Sequence, residues 1–258
     1  MTGRGNNTYL VVGSGGAAAL IDTGVGNPRH LSEIDQRLKA EHARLDEVLV
    51  THSHDDHASG APALANAYPT VRFAKYPWPE EDQRHGVTWR PLVDGDTVQI
   101  GEDRISVVLT PGHSPDHLVF WHEPSRTAFT GDLATVGSSV MIHWSRGGDL
   151  VRYLASLERV LALHPRRILP AHGPEPHDPA ALLSGYLEHR RIRERQVIAA
   201  LKAERLTVQA IAESIYDGLD PALMAAAREN VRAHLEKLKA EGRATVDADR
   251  WRVCGERD

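Results

Sequence analysis

The heptapeptide Thr51-His52-Ser53-His54-Asp55-Asp56-His57 follows directly on the apolar run Glu47-Val48-Leu49-Val50. Turns ordinarily draw on Gly, Asn and Pro, so a polar turn with solvated histidines gives no reason for repeated His. Imidazole is the commonest protein metal ligand, and that supplies the reason. If the loop wraps around a point, His52 and His54 face one metal while Asp56 and His57 face a second. A chain carrying this loop has to end a buried strand there and bring further donors to the same place.

Three such donors are visible downstream. Pro111-Gly112-His113-Ser114 follows an apolar run ending at Leu109, Thr130-Gly131-Asp132 closes a run over 127–130, and Pro170-Ala171-His172-Gly173 follows a run over 167–169. Each donor lies just past the end of a strand-like segment, with a glycine beside it that lets the backbone turn. Four strand ends meeting on one rim would gather His52, His54, Asp56, His57, His113, Asp132 and His172. Two metals sharing seven protein ligands and a bridging water is an arrangement suited to hydrolysis. The chain holds 15 histidines, more than its 14 aromatic residues, and a single cysteine, Cys254. Any metal is therefore held by nitrogen and oxygen, which suits zinc and also iron or manganese.

The rest of the first 175 residues reads as an α/β sandwich of short strands. Strands are expected at 9–12, 17–21, 47–50, 71–73, 97–100, 105–109, 118–121, 127–130 and 167–169, and helices at 29–41, 61–68 and 149–163. Hydrophobic content of 41% and charged content of 25% exclude disorder and coiled coil. No stretch approaches the ~18 apolar residues of a membrane span. Residues 1–7 lack the apolar core of a signal peptide, so a cytoplasmic protein is expected. The net charge of −5 argues against a general polyanion binder. The character changes near Asp178, where Ala, Leu, Arg and Glu dominate and helices are expected near 178–203, 207–216 and 221–241. Thr207 and Asp220 read as N-caps, and Pro221 as a first helical residue. The tail 243–253 alternates like a hairpin. Helix, helix, hairpin is the order of a winged helix, which gives two expected units, 1–177 and 178–258.

On these residues the chain resembles the metallo-β-lactamase superfamily, whose signature is an H-x-H-x-D-H loop followed by later His, Asp and His ligands. Five elements match in order, the first being Leu20-Ile21-Asp22-Thr23-Gly24. The resemblance implies that His52, His54 and His113 hold one metal, that Asp56, His57 and His172 hold another, and that Asp132 bridges both. Asp22 would support the loop without binding metal. It further implies a four-layer αββα sandwich with the site at the common edge of the sheets. Asn6-Asn7-Thr8-Tyr9-Leu10-Val11, Thr110-Pro111-Gly112-His113-Ser114-Pro115-Asp116-His117, Tyr153-Leu154-Ala155-Ser156-Leu157, Ala171-His172-Gly173-Pro174 and Tyr186-Leu187-Glu188-His189-Arg190 are similar to the β-lactamase-like protein 2 branch. That branch carries a small C-terminal winged-helix-like domain, which Asn230-Val231-Arg232-Ala233-His234-Leu235-Glu236-Lys237-Leu238 fits as a last long helix. Relatives usually have a strand before the Asn-Thr-Tyr element, and this chain begins almost on top of it.

The function implied is a hydrolase with a dinuclear zinc site and a bridging hydroxide, acting on an ester, thioester or phosphodiester. Asp132 and Asp56 would be its catalytic carboxylates, Asp132 fixing the metal separation. The branch also implies single-stranded RNA endonuclease activity as an alternative. A catalytically silent nucleic-acid-binding regulator is a third reading, and the intact ligand set argues against it. From Gly185 to Asp258 there are 14 Lys and Arg against 13 Asp and Glu. Duplex DNA is therefore not an expected partner; a membrane is not either, and a homodimer is compatible. Among the remaining candidates, His117 reads as a support for the ligands, as a substrate-facing residue or as strand packing, and His143 and Trp144 as pocket lining or surface. His189 and Arg190 read as an anion grip or, preferred, as a salt-bridged solvated face. Ser53 reads as a spacer and Cys254 as incidental. His30, His42, His85, His122, His164, His177 and His234 read as surface or packing residues.

Overall fold

Side-chain alternation along ten short strands builds the layers of this protein. The computed structural model describes residues 5–254, so the reading of the first four residues and of the last four lies outside it. The first sheet holds β1 (Tyr9–Val12), β2 (Ala17–Ile21), β3 (Arg44–Leu49), β4 (Arg72–Lys75) and β5 (Trp89–Pro91), in that spatial order. The second holds β6 (Thr97–Ile100), β7 (Asp103–Leu109), β8 (Leu118–His122), β9 (Thr127–Gly131) and β10 (Arg167–Pro170), ordered β10-β9-β8-β7-β6. Successive residues of a strand face opposite ways. Ala19, Ile21, Leu49 and Ala74 of the first sheet accordingly meet Ile105, Val107, Leu118, Phe120 and Phe129 of the second in a shared core.

The intervening residues face outward onto helices. Ala18, Leu20, Val48 and Phe73 pack with Ile34 and Leu38 of α1 (Pro28–Ala40) and with Leu64, whose helix α3 (Ala61–Ala67) follows the short α2 (Asp55–Ala58). On the far side, Val108, Val119, Trp121, Ala128 and Ile168 pack beneath Tyr153, Leu157 and Val160. After α4 (Pro79–Asp82), these last three belong to α5 (Leu150–Ala162). The result is the expected four-layer αββα sandwich. β5 and α4 carry no periodic signal in the sequence, being only three and four residues long.

Strand direction puts the functional loops together. β2, β3 and β4 run parallel, so Asp22 and Thr51 emerge at one edge of the first sheet. In the second sheet β7 and β9 are both antiparallel to β8, and β10 is parallel to β9, so β7, β9 and β10 end at one edge. The Leu118 N–H donates to the Thr51 carbonyl at 2.7 Å, stitching the two edges to each other.

The C-terminal part continues from α6 (Pro179–Lys202) through α7 (Val208–Ile215) and α8 (Met224–Ala240) to the hairpin β11 (Ala244–Asp247) and β12 (Arg250–Val253). Thr207 and Asp220 cap as the sequence suggests, accepting from the Ala210 and Ala222 N–H groups. Pro221 opens a separate 3-10 turn over Pro221–Leu223, and α8 starts only at Met224. α6 serves two cores: Leu183, Tyr186 and Leu187 pack with α5, while Val197, Ala200 and Leu201 pack with Ile211, Val231, Leu235 and Trp251. No helix among the described residues is long and apolar enough to cross a membrane. Trp251 is fully buried at the centre of the second of these cores. Trp251→Ala is expected to cost about 3–5 kcal/mol, read as a lowered urea midpoint.

Candidate metal centre

Asp22, at the end of β2, holds a left-handed φ of 61°. That region is unfavourable for a residue with a Cβ and is tolerated best by Asn and Asp outside glycine. The conformation aims the buried carboxylate under the histidine loop. It accepts from the Thr51 N–H at 2.8 Å, from the Thr51 hydroxyl at 3.0 Å and from His57 Nδ1 at 2.8 Å. His57 therefore turns its Nε2 to the site, the usual way a carboxylate orients a ligating imidazole.

Two groups of donors stand next to each other at the sheet edge. His52, His54, His113 and Asp132 form one, and Asp56, His57 and His172 the other, with the donor atoms of each within 4.8 Å of one another. In the first group His52 Nε2 and His113 Nε2 stand 2.9 and 3.0 Å from His54 Nδ1. His113 Nδ1 donates to the Met141 carbonyl at 2.8 Å, which leaves Nε2 to face inward as a lone pair. In the second group His172 Nε2 is 3.1 Å from Asp56 Oδ2, and its Nδ1 meets the Gly5 carbonyl at 3.0 Å. Asp132 addresses both groups with different oxygens. Its Oδ1 is 3.5 Å from His57 Nε2 and 3.3 Å from His172 Nε2, while Oδ2 is 3.5 Å from His113 Nε2.

A pair of divalent cations fits these residues. His57 Nε2 and Asp132 Oδ1 are buried and have no hydrogen-bond partner, an arrangement a protein rarely leaves without a purpose. Burial, and then the neighbouring imidazoles His113 and His57, push His54 down to about 3. Burial does the same to His52, with His57 and His54 adding to it, so both present lone pairs. The carboxylates of Asp132 and then Asp56 beside it lift His172 to about 10. Burial opposes the charged form of Asp132, and His57 and His172 outweigh it, holding the carboxylate well below its usual range.

A second ring of contacts fixes these donors. His117 is buried behind them: its Nδ1 bonds the Thr110 hydroxyl at 2.8 Å, and its Nε2 accepts from the Asp132 N–H at 3.1 Å. It thus supports Asp132 and does not line the cavity. Gly131 is needed here, since a Cβ would stand 2.9 Å from His117 Nε2 and from Thr51. Gly112 lets the His113 loop pass 2.3 Å, from the same imaginary Cβ, to the Tyr153 nitrogen. Ser53, read from the sequence as a spacer, donates to Asp116 at 2.6 Å. Asp116 in turn lies 3.1 Å from the fully buried Lys75 ammonium, which also pairs with Asp82 at 2.6 Å. Sequence reasoning missed this ion network, whose members lie on three separate segments with no shared spacing.

The metal-site residues open onto a cavity of about 1150 Å³. Trp78, Glu81 and Arg84 line one wall, and Ser138–Met141, His143, Ser145, Arg146 and Ala226 the other. None of these except His143 carried a signal in the sequence. Trp144 is exposed and stacks under the Arg232 guanidinium at 4.7 Å. His189 and Arg190 are not part of the cavity wall. Arg190 is only 2% exposed and bonds the Val140 carbonyl and, at 3.3 Å, Asn230 Oδ1. It is neither an anion grip nor a solvated residue; Arg191 and Arg195, paired with Glu188, form the solvated face. His85 and His234 are buried packing residues.

The fold and this donor set define a class. The profile of the metallo-beta-lactamase superfamily matches residues 1–172, and that of the beta-lactamase associated winged helix domain matches residues 207–251. The chain belongs to the metallo-β-lactamase superfamily, as a hydrolase with a C-terminal winged-helix domain. Within it, the chain is 31% identical over 258 residues to a beta-lactamase-like protein 2 homolog of Drosophila melanogaster, covering 95% of this chain and 86% of that protein. It is 35% identical over 222 residues to a lactamase-like protein of Penicillium aethiopicum, covering 83% and 68%. A beta-lactamase domain protein from Burkholderia ambifaria shares the fold with a TM-score of 0.80 at 23% identity, over 96% of this chain and 87% of that one. A structure determined in a di-iron-bound form matches with a TM-score of 0.57 at 30% identity, over 72% and 92%. Asp22→Asn keeps the shape and the left-handed turn but removes the charge and an acceptor. It is expected to weaken metal binding by roughly 10–100-fold, read by chelator competition, with the far-UV circular dichroism unchanged.

Proposed function

We propose that this chain is a dinuclear zinc hydrolase whose substrate is a small-molecule ester or thioester. The observation that carries the reading is the Asp132 carboxylate, which turns one oxygen to each donor group. In this reading His52, His54 and His113 hold one ion, Asp56, His57 and His172 the other, and Asp132 both. Residues 1–177 supply the chemistry and 178–258 form the winged-helix-like unit. The donors are nitrogen and oxygen only, so iron or manganese are the alternatives to zinc, and the di-iron form of one similar structure supports testing them.

Two bound divalent ions supply Lewis-acid polarisation of the electrophile and a water acidic enough to ionise near neutral pH. The chain's own residues do the rest. Asp132 sets the spacing of the two groups and stays ionised throughout. Asp22 and the Met141 carbonyl keep the protons of His57 and His113 on Nδ1, so both rings present Nε2. Asp56 and His54 border the cavity, where they meet the substrate's reacting end. Trp78 and Val140 give that cavity apolar surface for an acyl group.

Charge favours a small substrate over RNA. A groove for single-stranded nucleic acid needs a track of cations and stacking aromatics. Of the cavity's two arginines, Arg84 is paired with Glu81 and Asp55, leaving Arg146 as the one outside an ion pair among the described residues. The test is metal analysis followed by assays on a generic thioester, on bis-p-nitrophenyl phosphate and on labelled single-stranded RNA. Thioester turnover well above the other two is expected; RNA cleavage as the dominant activity would replace the small-molecule reading. Asp132→Ala is expected to abolish turnover and lower the bound metal below two ions per chain, and full activity in that variant would sink the dinuclear site.

Proton traffic gives a further check. His172 keeps its proton up to about pH 10 in the absence of metal, whereas His52 and His54 carry none near neutrality. Binding of an ion by the second group would displace the proton of His172 and one from His57, whose burial is outweighed by Asp22 and Asp132, so its affinity would rise with pH. Calorimetric titration in buffers of different ionisation enthalpy is expected to show proton release with the second ion and little with the first.

A further inference from the structure

The segment between Asp132 and α5 forms one wall of the cavity, and the C-terminal helices hold it almost residue by residue. The Tyr186 hydroxyl, on α6, accepts from the Thr135 N–H at 3.1 Å and lies 2.8 Å from the Ser138 carbonyl. One turn farther along α6, Arg190 donates to the Val140 carbonyl. On α8, Asn230 Nδ2 stands 3.6 Å from the Met141 sulfur, Glu229 accepts from the Ser145 N–H at 3.0 Å, and Arg232 stacks on Trp144. The backbone so gripped includes the Met141 carbonyl, the acceptor that orients His113.

Arg190 is the unusual member of this set. Its guanidinium is buried with no carboxylate in ion-pair distance among the described residues, and its Nε has no partner. Its surroundings are the Val140 carbonyl, the Asn230 amide oxygen, the Tyr153 ring at 5.3 Å and the imidazole of His234. Burying a cation without a counter-charge is costly, and an apolar side chain of similar length would fill the space more cheaply. What only a guanidinium supplies is the fixed fork from α6 to the Val140 carbonyl and to Asn230 of α8. Three cationic side chains of α8 have partners within the chain, Arg228 with Gln209 at 2.6 Å, Arg232 with Glu236 at 2.8 Å and Lys237 with Glu194 at 2.5 Å, while Arg228 and Lys239 remain exposed. Glu229, Asn230 and Arg232 of α8 are thus engaged with this chain's own cavity wall.

We infer that Arg190 is a positioning residue for the metal centre: it fixes the Val140–Met141 backbone and, through the Met141 carbonyl, the ring of His113, so that α6 and α8 set the affinity of the ion held by His52, His54 and His113. The inference rests on the two-ion reading above. Its test is cobalt(II) titration, followed by visible absorption and chelator competition, of the full-length wild type, Arg190→Met, Arg190→Lys and Asn230→Ala. Arg190→Met is expected to bind the ion of the three-histidine group about 10-fold or more weakly, with a changed absorption band, and to leave the other ion's affinity unaltered. Arg190→Lys, able to reach one acceptor, should recover part of the loss, and Asn230→Ala should show a smaller one. Wild-type affinity and spectrum in Arg190→Met, or equal weakening at both groups, would overturn the inference. If Arg190→Met does not fold, Asn230→Ala decides: selective weakening supports the coupling and wild-type binding refutes it. A wild-type chain that takes up less than two cobalt ions overturns the dinuclear reading and this inference with it, whereas two tight ions with indifferent variants overturn the inference alone.

Discussion

Imidazole nitrogens of His52 and His113 that both point at His54 Nδ1 across about 3 Å cannot all be satisfied by one N–H. Burial holds His52 and His54 neutral, and His113 has committed Nδ1 to the Met141 carbonyl, so the lone pairs outnumber the N–H groups available to them. A cation at their focus removes the conflict, and much of the molecule exists to keep the conflict in place. Asp22 accepts a strained backbone to pin His57. His117 sits beneath Asp132, Lys75 and Asp116 anchor Ser53 between His52 and His54, and the Leu118–Thr51 hydrogen bond ties the sheets together where the donors converge. Each of these contacts limits the loop's freedom to relax into a solvated turn.

Much of this arrangement was legible in the sequence because it depends on local signals. Unbroken apolar runs such as Ala18-Ala19-Leu20-Ile21 and Leu118-Val119-Phe120-Trp121 announce strands covered on both faces, and the structure divides their residues alternately between the shared core and the outer helices. The donors are marked by type and by place, each just beyond an apolar run. Their convergence follows from strand directions that alternation alone does not fix, and there the family resemblance supplied the answer. Asp22 was found by that resemblance too, since a lone carboxylate after a strand has no distinguishing pattern.

What escaped the sequence reading depends on contacts between distant segments. Lys75 looks like an ordinary charged residue at the end of a strand until Asp82 and Asp116 are brought beside it. Arg190 stands in a run of basic residues whose other members do face solvent, and only the rotation of α6 against α8 buries that one. The cavity wall from Ser138 to His143 is irregular backbone ending in a single 3-10 turn over Trp144–Arg146, too short for helical or strand periodicity to announce it.

The composition of the chain shifts at Asp178, but the packing shifts about midway along α6, between Leu187 and Val197. A continuous helix rooted in two cores behaves as a rigid axle. Twisting or sliding the C-terminal unit would drag Leu183 and Tyr186 out of their seats beside α5. The two halves of the molecule are thus denied the independent hinge motion that a loop at the same place would have permitted. Local opening of the C-terminal core and opening of the layer beside the site are expected to be linked excursions, sharing one cooperative unit in hydrogen exchange.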